Sequence, residues 1–440
     1  MIIQRWTAAM VIAMGGFVMA VPGASAAIGT LRDRIATRAQ ALEGKVIAWR
    51  RDIHAHPELS NREFRTSALV ARHLKSLGFD EVRTKIAHTG VVGVLKGGRP
   101  GPVVALRADM DALPVAERVD VPFASKIEST YNGRKVGVMH ACGHDAHTAV
   151  LMGVAEVLAG LRADLPGTVV LIFQPAEEGA PEGEKGGARL MLAEGLFDGK
   201  AAPQAIFGLH VWPGPPGEIS YRAKGTMAAA DMFKIAVTGA QTHGSMPWRG
   251  VDPIIVSAQI MLGLQLIPSR QSDVTRAPVV ISVGSIHGGV RNNIIPASVE
   301  MVGTIRTFDE DMRKDVHARI ERTARNIAEG MGAKAEVSFG DYAPVTYNDP
   351  KLTARMIPTL EWAAQGRVVE SPRVMAAEDF SYFQKRIPGL YVRLGINREG
   401  VPAQDAAPNH SPYFYVNEAA LVVGVRTMAA LAVDYLQGGQ

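Results

Sequence analysis

The run TVVLIF at residues 168–173 restricts the fold more than any other feature of this sequence. A short, continuous series of apolar residues, rich in β-branched side chains, is typical of a strand that is covered on both faces of a parallel sheet. Further strands are predicted in VVGVLKG, VVALRADMDALP and AIFGLH, and stretches with helical periodicity alternate with the strands. This alternation predicts an α/β domain whose mainly parallel sheet is covered by helices.

The helices of this domain are predicted from apolar residues that recur at intervals of three and four. They are expected at residues 31–56, 65–77, 147–161 and 188–194. Polar side chains that can bind metals or take part in catalysis follow the strands, so we expect the functional site at the C-terminal edge of the sheet.

A second region, residues 225–337, has a different order of elements. The order is β-α-β-β-α-β, given by the strands FKIAVTG, VVISVGSIHGG, ASVEMVGTIRTF and AKAEVSF and by helices at 253–267 and 311–330. This order is that of a small ferredoxin-like α+β domain. It predicts an insertion that divides the larger domain into residues 27–224 and 338–440.

Length and composition agree with this two-domain organisation. The chain has 440 residues, of which 47% are hydrophobic and 20% charged, so it is long enough for two separate cores. Its net charge is only +4, and no basic run interleaved with aromatic residues occurs. We therefore expect no binding to nucleic acid.

The first 26 residues have the composition of a secretory signal. Arg5 precedes an apolar stretch at 10–21, and residues 24–26 (ASA) form a small-residue cleavage site. The apolar stretch is short and contains glycine, so we expect cleavage and no stable membrane span in the mature chain. The protein is therefore predicted to be exported, to a periplasm or to the outside of the cell.

Its single cysteine, Cys142, cannot form a disulfide within the chain and is available to a metal.

Candidate metal ligands lie in motifs that are rich in glycine or proline. Cys142 and His144 are separated by one glycine in HACGHD. The other candidates are the adjacent glutamates of QPAEEG and one histidine in each of GLHVWP and NHSP, namely Glu177, Glu178, His210 and His410. A thiolate and an imidazole so close together suit one soft metal ion or a pair of ions. Five ligand-type side chains with one further carboxylate favour a hydrolase with two metal ions.

These motifs, together with others along the chain, resemble those of a known family. In sequence order they are RRDIHAHPELS, LRADMDALP, MHACGHDAHTA, FQPAEEG, GLHVWP, THGSMP, RNNIIP, GTIRTF, AAEDFSYF and NHSPYF. The chain resembles the metal-dependent peptidase family that includes aminoacylases and glutamate carboxypeptidases. The resemblance is closest to its amidohydrolase branch of N-acyl amino acid, hippurate and auxin-conjugate hydrolases. It implies a catalytic α/β domain with two divalent ions and an inserted lid domain that often mediates dimerisation.

The resemblance also implies the ligand set and the base. The metal ligands would be Cys142, His144, Glu178, His210 and His410, with the cysteine thiolate bridging two ions. Zinc or manganese is expected, since thiolate favours zinc while the oxygen ligands suit manganese, cobalt or nickel. Glu177 would act first as general base toward a metal-activated water and then as general acid toward the departing amine.

Further residues match the family outside the ligand set. His243 in TGAQTHGSMP matches a histidine that stabilises the oxyanion, often in the catalytic site of the partner subunit. Asn293 and Arg306 match positions that contact the carboxylate of the substrate, and Arg291 is a neighbouring candidate.

Three aspartates are candidates for a supporting role around the metal ligands. Asp109 and Asp111 of RADMDALP and Asp145 of HACGHD are predicted to orient metal-binding imidazoles. Turns and helix starts are an alternative explanation for the same residues. Many peptidases of the family use an HxD motif and an aspartate bridge, whereas this chain has Asp109 and Asp111 in the strand motif and Cys142 near the expected bridge. This pattern fits the amidohydrolase branch and argues against a typical aminopeptidase.

The chain is thus predicted to be a metal-dependent amidohydrolase that cleaves N-acyl amino acids or related carboxylate-bearing amides. Its partners would be a small-molecule acyl-amide and further copies of itself, in a homodimer or higher homo-oligomer. One alternative is a dipeptidase or carboxypeptidase of the same fold, which would require a free α-amino group on the acyl side. Another is a non-catalytic metal-binding or carboxylate-binding protein, which would need neither Glu177 nor His243.

Overall fold

The computed structural model describes residues 24–199 and 202–438. The predicted signal, residues 1–26, lies outside the described residues except at positions 24–26. The described α-helices are α1 Ala24–Ala41, α2 Glu43–Ala55, α3 Phe64–Ser76, α4 His144–Ala159, α5 Gly187–Ala193, α6 Pro253–Leu266, α7 Glu310–Gly330, α8 Pro350–Ala363, α9 Ser381–Gln384 and α10 Leu421–Gln437.

The β-strands of the described residues alternate with these helices. They are β1 Glu81–Ile86, β2 Gly90–Lys96, β3 Arg99–Asp109, β4 Glu128–Tyr131, β5 Arg134–Gly137, β6 Pro166–Gln174, β7 Ala205–Trp212, β8 Ile219–Tyr221, β9 Lys224–Met227, β10 Ala229–Thr238, β11 Thr242–His243, β12 Val279–Gly288, β13 Ile294–Ile295, β14 Ser298–Thr307, β15 Lys334–Ala343, β16 Thr346–Asn348, β17 Val368–Glu370 and β18 Gly389–Gly395.

The main sheet has the strand order β1-β2-β6-β3-β7-β18-β8-β17. Its central strands β6, β3, β7 and β18 are parallel, and antiparallel pairs occur toward both edges. The TVVLIF run lies in β6 and contributes to two cores, because Val169 and Leu171 pack into one cluster while Val170 and Ile172 pack into another. The predicted α/β fold with a mainly parallel sheet is therefore confirmed.

The C-terminal helix belongs to the core of this domain. The segment Glu418–Gln437 is long and apolar enough to cross a membrane by composition alone, and 78% of its most apolar window is buried inside the fold. Helix α10 packs against α4 and α8. These contacts account for its apolar composition.

The second region forms a separate sheet of order β12-β14-β10-β15, in which each pair is antiparallel. Helices α6 and α7 pack on one face and share its hydrophobic core. In chain order the elements are β10, α6, β12, β14, α7 and β15, as predicted for a ferredoxin-like domain. The proposed boundary at residue 337 falls within β15, which continues to Ala343. Strands β9 and β16, which flank this region in the chain, pair with each other.

Helix α4 begins at His144, three residues before the predicted start. Gly143, the residue before it, has φ +93°, a left-handed conformation that glycine adopts without strain. A Cβ at this position would lie 2.2 Å from Cγ2 of Val211. The tight turn therefore needs glycine, and it separates Cys142 from His144. The predicted helix at 31–56 is also divided, since α1 ends at Ala41 and α2 begins at Glu43.

Candidate active site

The proposed metal ligands and the proposed base gather at the carboxyl edge of the parallel strands. Asp109 ends β3, Glu177 and Glu178 follow β6, and His210 lies near the end of β7. The start of α4 adjoins this edge, because the Thr148 hydroxyl donates to the carbonyl oxygen of Asp109 at 2.8 Å. Polar side chains of an open α/β sheet are expected to converge at this edge.

The five proposed metal ligands form one cluster. The donor atoms of Cys142, His144 and His210 lie within 4.8 Å of one another, and so do those of Cys142, Glu178 and His410. The sulfur of Cys142 is 3.5 Å from Nε2 of His210, and Nε2 of His410 is 3.1 Å from Oε1 of Glu178. Cys142 belongs to both groups, as a thiolate shared by two ions would.

The two buried histidines of the cluster each have one ring nitrogen held by an acceptor. Nδ1 of His210 is 2.7 Å from the carbonyl oxygen of Val211, and Nδ1 of His144 is 3.2 Å from Oδ1 of Asp111. Nε2 of His144 is buried and has no hydrogen-bond partner among the described atoms. An imidazole ring that carries its proton on Nδ1 presents the lone pair of Nε2 to a metal. The donor set therefore fits divalent cations.

The charge around the cluster also suits cations. Burial alone would disfavour a charged imidazole at His144, but the charges of Asp109 and Asp111 raise its pKa to about 10. Burial raises the pKa of the Cys142 thiol, and the charges of Glu178 and Glu177 raise it further. Acidic side chains contribute to both shifts, and a bound cation would neutralise their charge.

The loop of Glu177 and Glu178 is bent immediately after β6. Ala176 has φ +52°, an uncommon conformation for a residue with a Cβ. The backbone N–H groups of Glu177 and Glu178 donate to the two carboxylate oxygens of Asp111, at 3.1 and 3.0 Å. The bend lets two adjacent side chains serve one site, which an extended strand would direct to opposite faces.

The three candidate supporting aspartates have different partners. Asp111 contacts His144, a proposed ligand. Asp109 instead accepts a hydrogen bond from Nδ1 of His147 at 2.6 Å, and Nε2 of His147 accepts from the backbone N–H of Val211 at 2.8 Å. Through His147, which is not a proposed ligand, Asp109 is linked to the strand that carries His210. Its Oδ2 also lies 3.8 Å from Nε2 of the proposed ligand His144.

The predicted role of Asp145 needs correction. Its Oδ2 accepts hydrogen bonds from Nε of Arg50 at 2.7 Å and Nδ1 of His54 at 2.8 Å. The ring of His54 in turn contacts Glu117 at 3.0 Å. Asp145 therefore ties the first turn of α4 to α2, because a buried carboxylate at this position needs cationic partners.

A cavity of about 780 Å³ opens beside the cluster. Glu177 and all the proposed ligands except His144 line it, and so does Arg306. Its other walls are largely small or apolar: Trp212, Pro213, Met227, Ala230, Ala376, Ala377, Ala403, Ala406 and Pro408. Arg306 is half-buried and forms no ion pair with a carboxylate among the described residues. The cavity therefore offers one guanidinium to an anionic group of a ligand.

Three predicted residues lie outside this cavity. The side chains of His243, Asn293 and Arg291 are exposed, and none of them lines it. They belong to one substructure, because β11 pairs with β13 and the backbone N–H of Gly244 donates to the carbonyl oxygen of Asn293 at 2.8 Å. Nδ1 of His243 accepts from the hydroxyl of Ser245 at 2.8 Å. The cavity of a single described chain does not contain the proposed oxyanion donor.

Comparison with known proteins places this arrangement in a family. The model of peptidase family M20/M25/M40 matches residues 105–434. The chain belongs to this family.

Similar proteins match between 69% and 92% of this chain. Thermostable carboxypeptidase 2 of Saccharolobus solfataricus is 41% identical over 92% of this chain and 99% of its own length. An N-acyl-L-amino acid amidohydrolase of Geobacillus stearothermophilus is 43% identical over 69% of this chain and 78% of its own length. The crystal structure of Bacillus subtilis YXEP protein, a dinuclear metal binding peptidase from the M20 family, has a TM-score of 0.75 and 36% identity over 90% of this chain and 99% of that one. The predicted resemblance to the family of aminoacylases and glutamate carboxypeptidases is confirmed, and so is the class of enzyme, a hydrolase of amide or peptide bonds.

Two residues of the M20 site were not predicted from the sequence. The fully buried Arg107 donates to Asp109 at 2.7 Å and to Glu378 at 2.9 Å, so it balances carboxylates beneath the catalytic edge. Nδ2 of Asn409 donates to the carbonyl oxygen of Cys142 at 3.2 Å. Arg107 lies in the motif LRADMDALP and Asn409 in the motif NHSP. Their positions beside the proposed site residues of these motifs could have indicated a role in the site.

Proposed function

We propose that this M20 protein hydrolyses the amide bond of N-acyl amino acids with the help of two divalent cations. The observation that supports the proposal most is the position of Glu177, which lines the same cavity as Arg306 and four of the five clustered ligands. The cations, zinc or manganese, would be held by Cys142, His144, Glu178, His210 and His410. When bound, they supply Lewis acidity that lowers the pKa of water and polarises a carbonyl group.

Glu177 is suited to carry a proton between water and the leaving amine. Its side chain is buried, and burial together with the charges of Glu378 and Glu178 raises its pKa. A carboxylate with increased proton affinity accepts the proton of the attacking water and then donates it to the amine nitrogen as the C–N bond breaks. The apolar walls of the cavity suit an uncharged acyl group.

Arg306 is proposed to bind the carboxylate of the amino acid part. Replacing it with alanine should raise KM about 10- to 100-fold, since hydrogen bonds to charged groups contribute about 1.5–3 kcal/mol. The kcat value and the metal content should change little. Steady-state kinetics of Arg306→Ala test this, with Arg322→Ala as control because Arg322 is an exposed arginine of the same domain. A wild-type KM in Arg306→Ala would show that Arg306 does not bind the substrate.

We further propose a homodimer or higher homo-oligomer in which His243 enters the partner's cavity. Exposed apolar side chains on α6 support an interface there, since Ile255, Leu262 and Leu266 are 53%, 65% and 52% exposed. Strand β12 is an edge of its sheet and is available for pairing. His243 and Asn293 lie on the same domain as these surfaces.

Exchange between subunits tests this arrangement. His243→Ala alone should lower kcat about 10²- to 10³-fold with unchanged metal content. When His243→Ala and Glu177→Gln chains are mixed by unfolding and refolding, half of the dimers are hybrids with one complete site each, so about a quarter of wild-type activity should return. If His243 acts within its own chain, the mixture will stay as inactive as the two variants.

A carboxypeptidase or dipeptidase activity is the second candidate, because a relative at 41% identity is named a thermostable carboxypeptidase. A panel of N-acyl amino acids and dipeptides with the same C-terminal residue separates the two. Faster hydrolysis of the acylated members supports the amidohydrolase. A requirement for a free α-amino group would favour the dipeptidase.

Export remains part of the proposal. It rests on the signal-like composition of residues 1–26, which lie mostly outside the described residues. N-terminal sequencing of the protein recovered from periplasm or medium should give Ala27 as the first residue. An intact Met1 on cytoplasmic protein would contradict it.

A further inference from the structure

Glu63 is a buried carboxylic acid that lies far along the chain from the active-site loop. Its side chain is 0% exposed. Oε1 accepts hydrogen bonds from the backbone N–H groups of Asn61 at 3.0 Å and Ala176 at 2.9 Å. Oε2 accepts from the hydroxyl of Thr89, which is itself buried. Ala176 is 113 residues away in sequence and precedes Glu177.

Glu63 completes a row of carboxylate contacts along the bent loop. The backbone N–H of Ala176 donates to Glu63, and the next two, of Glu177 and Glu178, donate to Asp111. Ala176 is also the residue with φ +52°, where a Cβ disfavours the left-handed conformation. A hydrogen bond from a rigid, buried acceptor holds the backbone in this conformation and so fixes the direction of the two glutamates that follow.

The side chain of Glu63 is not used by its own helix. Glu63 precedes α3 at the N-cap position, but it makes no side-chain capping hydrogen bond there. Burial, with a contribution from the charge of Asp111, raises the pKa of Glu63 to about 8. A fold that needed only to fill this space would be served at lower cost by an apolar residue. Of its three hydrogen bonds, the one from the backbone N–H of Ala176 is the one that reaches the loop of Glu177 and Glu178.

We propose that Glu63 is a positioning residue, which through Ala176 sets the placement of the base Glu177 and the ligand Glu178. The inference rests on the proposed function, because it assigns those roles to the two glutamates. It predicts that the length of the side chain at 63 matters and that its charge does not.

The variants Glu63→Gln and Glu63→Asp separate length from charge. Glutamine keeps an acceptor oxygen within hydrogen-bond distance of the backbone N–H of Ala176. Its amide N–H groups would face the hydroxyl oxygen of Thr89. Aspartate keeps the carboxylate but shortens the side chain by about 1.5 Å. We expect Glu63→Asp to lower kcat about 10²-fold at nearly unchanged KM, since misplacement by about 1 Å has effects of that size. It should also weaken Zn²⁺ or Mn²⁺ binding about 10- to 100-fold, and Glu63→Gln should stay near wild type in both.

The same experiment shows what would overturn the inference. A folded Glu63→Asp protein with wild-type kcat and metal affinity would do so, and so would a Glu63→Gln protein as impaired as Glu63→Asp. If Glu63→Asp does not fold, Thr89→Val replaces it. A lowered kcat at an unchanged unfolding temperature then supports positioning, and a wild-type kcat contradicts it. If the wild-type chain hydrolyses no amide, the proposed function fails, and the titrations with Zn²⁺ and Mn²⁺ still decide the role of Glu63.

Discussion

Glu177→Gln is expected to lower kcat by about 10²- to 10⁴-fold, because the proton of the attacking water loses its acceptor and the departing amine loses its donor. Glutamine has the size of glutamate and keeps an acceptor oxygen, so the loop and its contacts with Asp111 should survive. The five proposed ligands remain, and metal content should stay at the wild-type value. Single-turnover kinetics together with metal analysis measure both quantities.

The matched control for this prediction is Glu182→Gln. Glu182 follows the same loop and its side chain is exposed, so the same change of charge occurs a few residues from the site. It should leave kcat within about twofold of wild type, as exposed substitutions usually do. A Glu177→Gln enzyme that binds metal and hydrolyses as fast as wild type would eliminate Glu177 as the base.

Cys142→Ala is expected to remove metal binding and activity together. Cys142 belongs to both donor groups of the cluster, so its loss affects two cation positions at once. We expect turnover to fall by at least about 10³-fold, which corresponds to about 4 kcal/mol of lost transition-state stabilisation. Metal analysis after gel filtration should show less than the wild-type number of ions per chain.

Thermal unfolding supplies the control for Cys142→Ala. A ligand that binds only the folded state raises the unfolding temperature. Excess Zn²⁺ or Mn²⁺ should therefore stabilise wild type strongly and the variant weakly. In chelator the two proteins should unfold within a few degrees of each other, because the substitution removes only one small side chain. Full activity in a folded Cys142→Ala protein would show that the thiolate is not a ligand.

The fold was largely predictable because its signals are local. The TVVLIF run and the alternation of strands with helices identify a parallel sheet, and the order of elements identifies the inserted domain. The start of α4 was missed because it depends on the left-handed Gly143, whose need for glycine comes from the close approach of Val211. A contact between two distant segments leaves no periodic signal.

The candidate site was predictable where its residues lie in motifs. Cys142, His144, Glu178, His210 and His410 converge as the motifs indicated. Contacts between segments that are distant in the sequence were harder to predict. Asp145 pairs with Arg50 and His54, and no spacing in the sequence specifies that pairing. Glu63 was missed for the same reason, since its partner Ala176 belongs to another motif.

The measurement that tests the central claim most directly is hydrolysis by the chelated protein while Zn²⁺ or Mn²⁺ is added back. Bound ions per chain and the rate on N-acyl amino acids are recorded at each point. The account predicts negligible hydrolysis in chelator and a rate that rises to its maximum as two ions bind per chain. Full activity in chelator would contradict it, and so would saturation with metal without hydrolysis of any acylated amino acid or dipeptide.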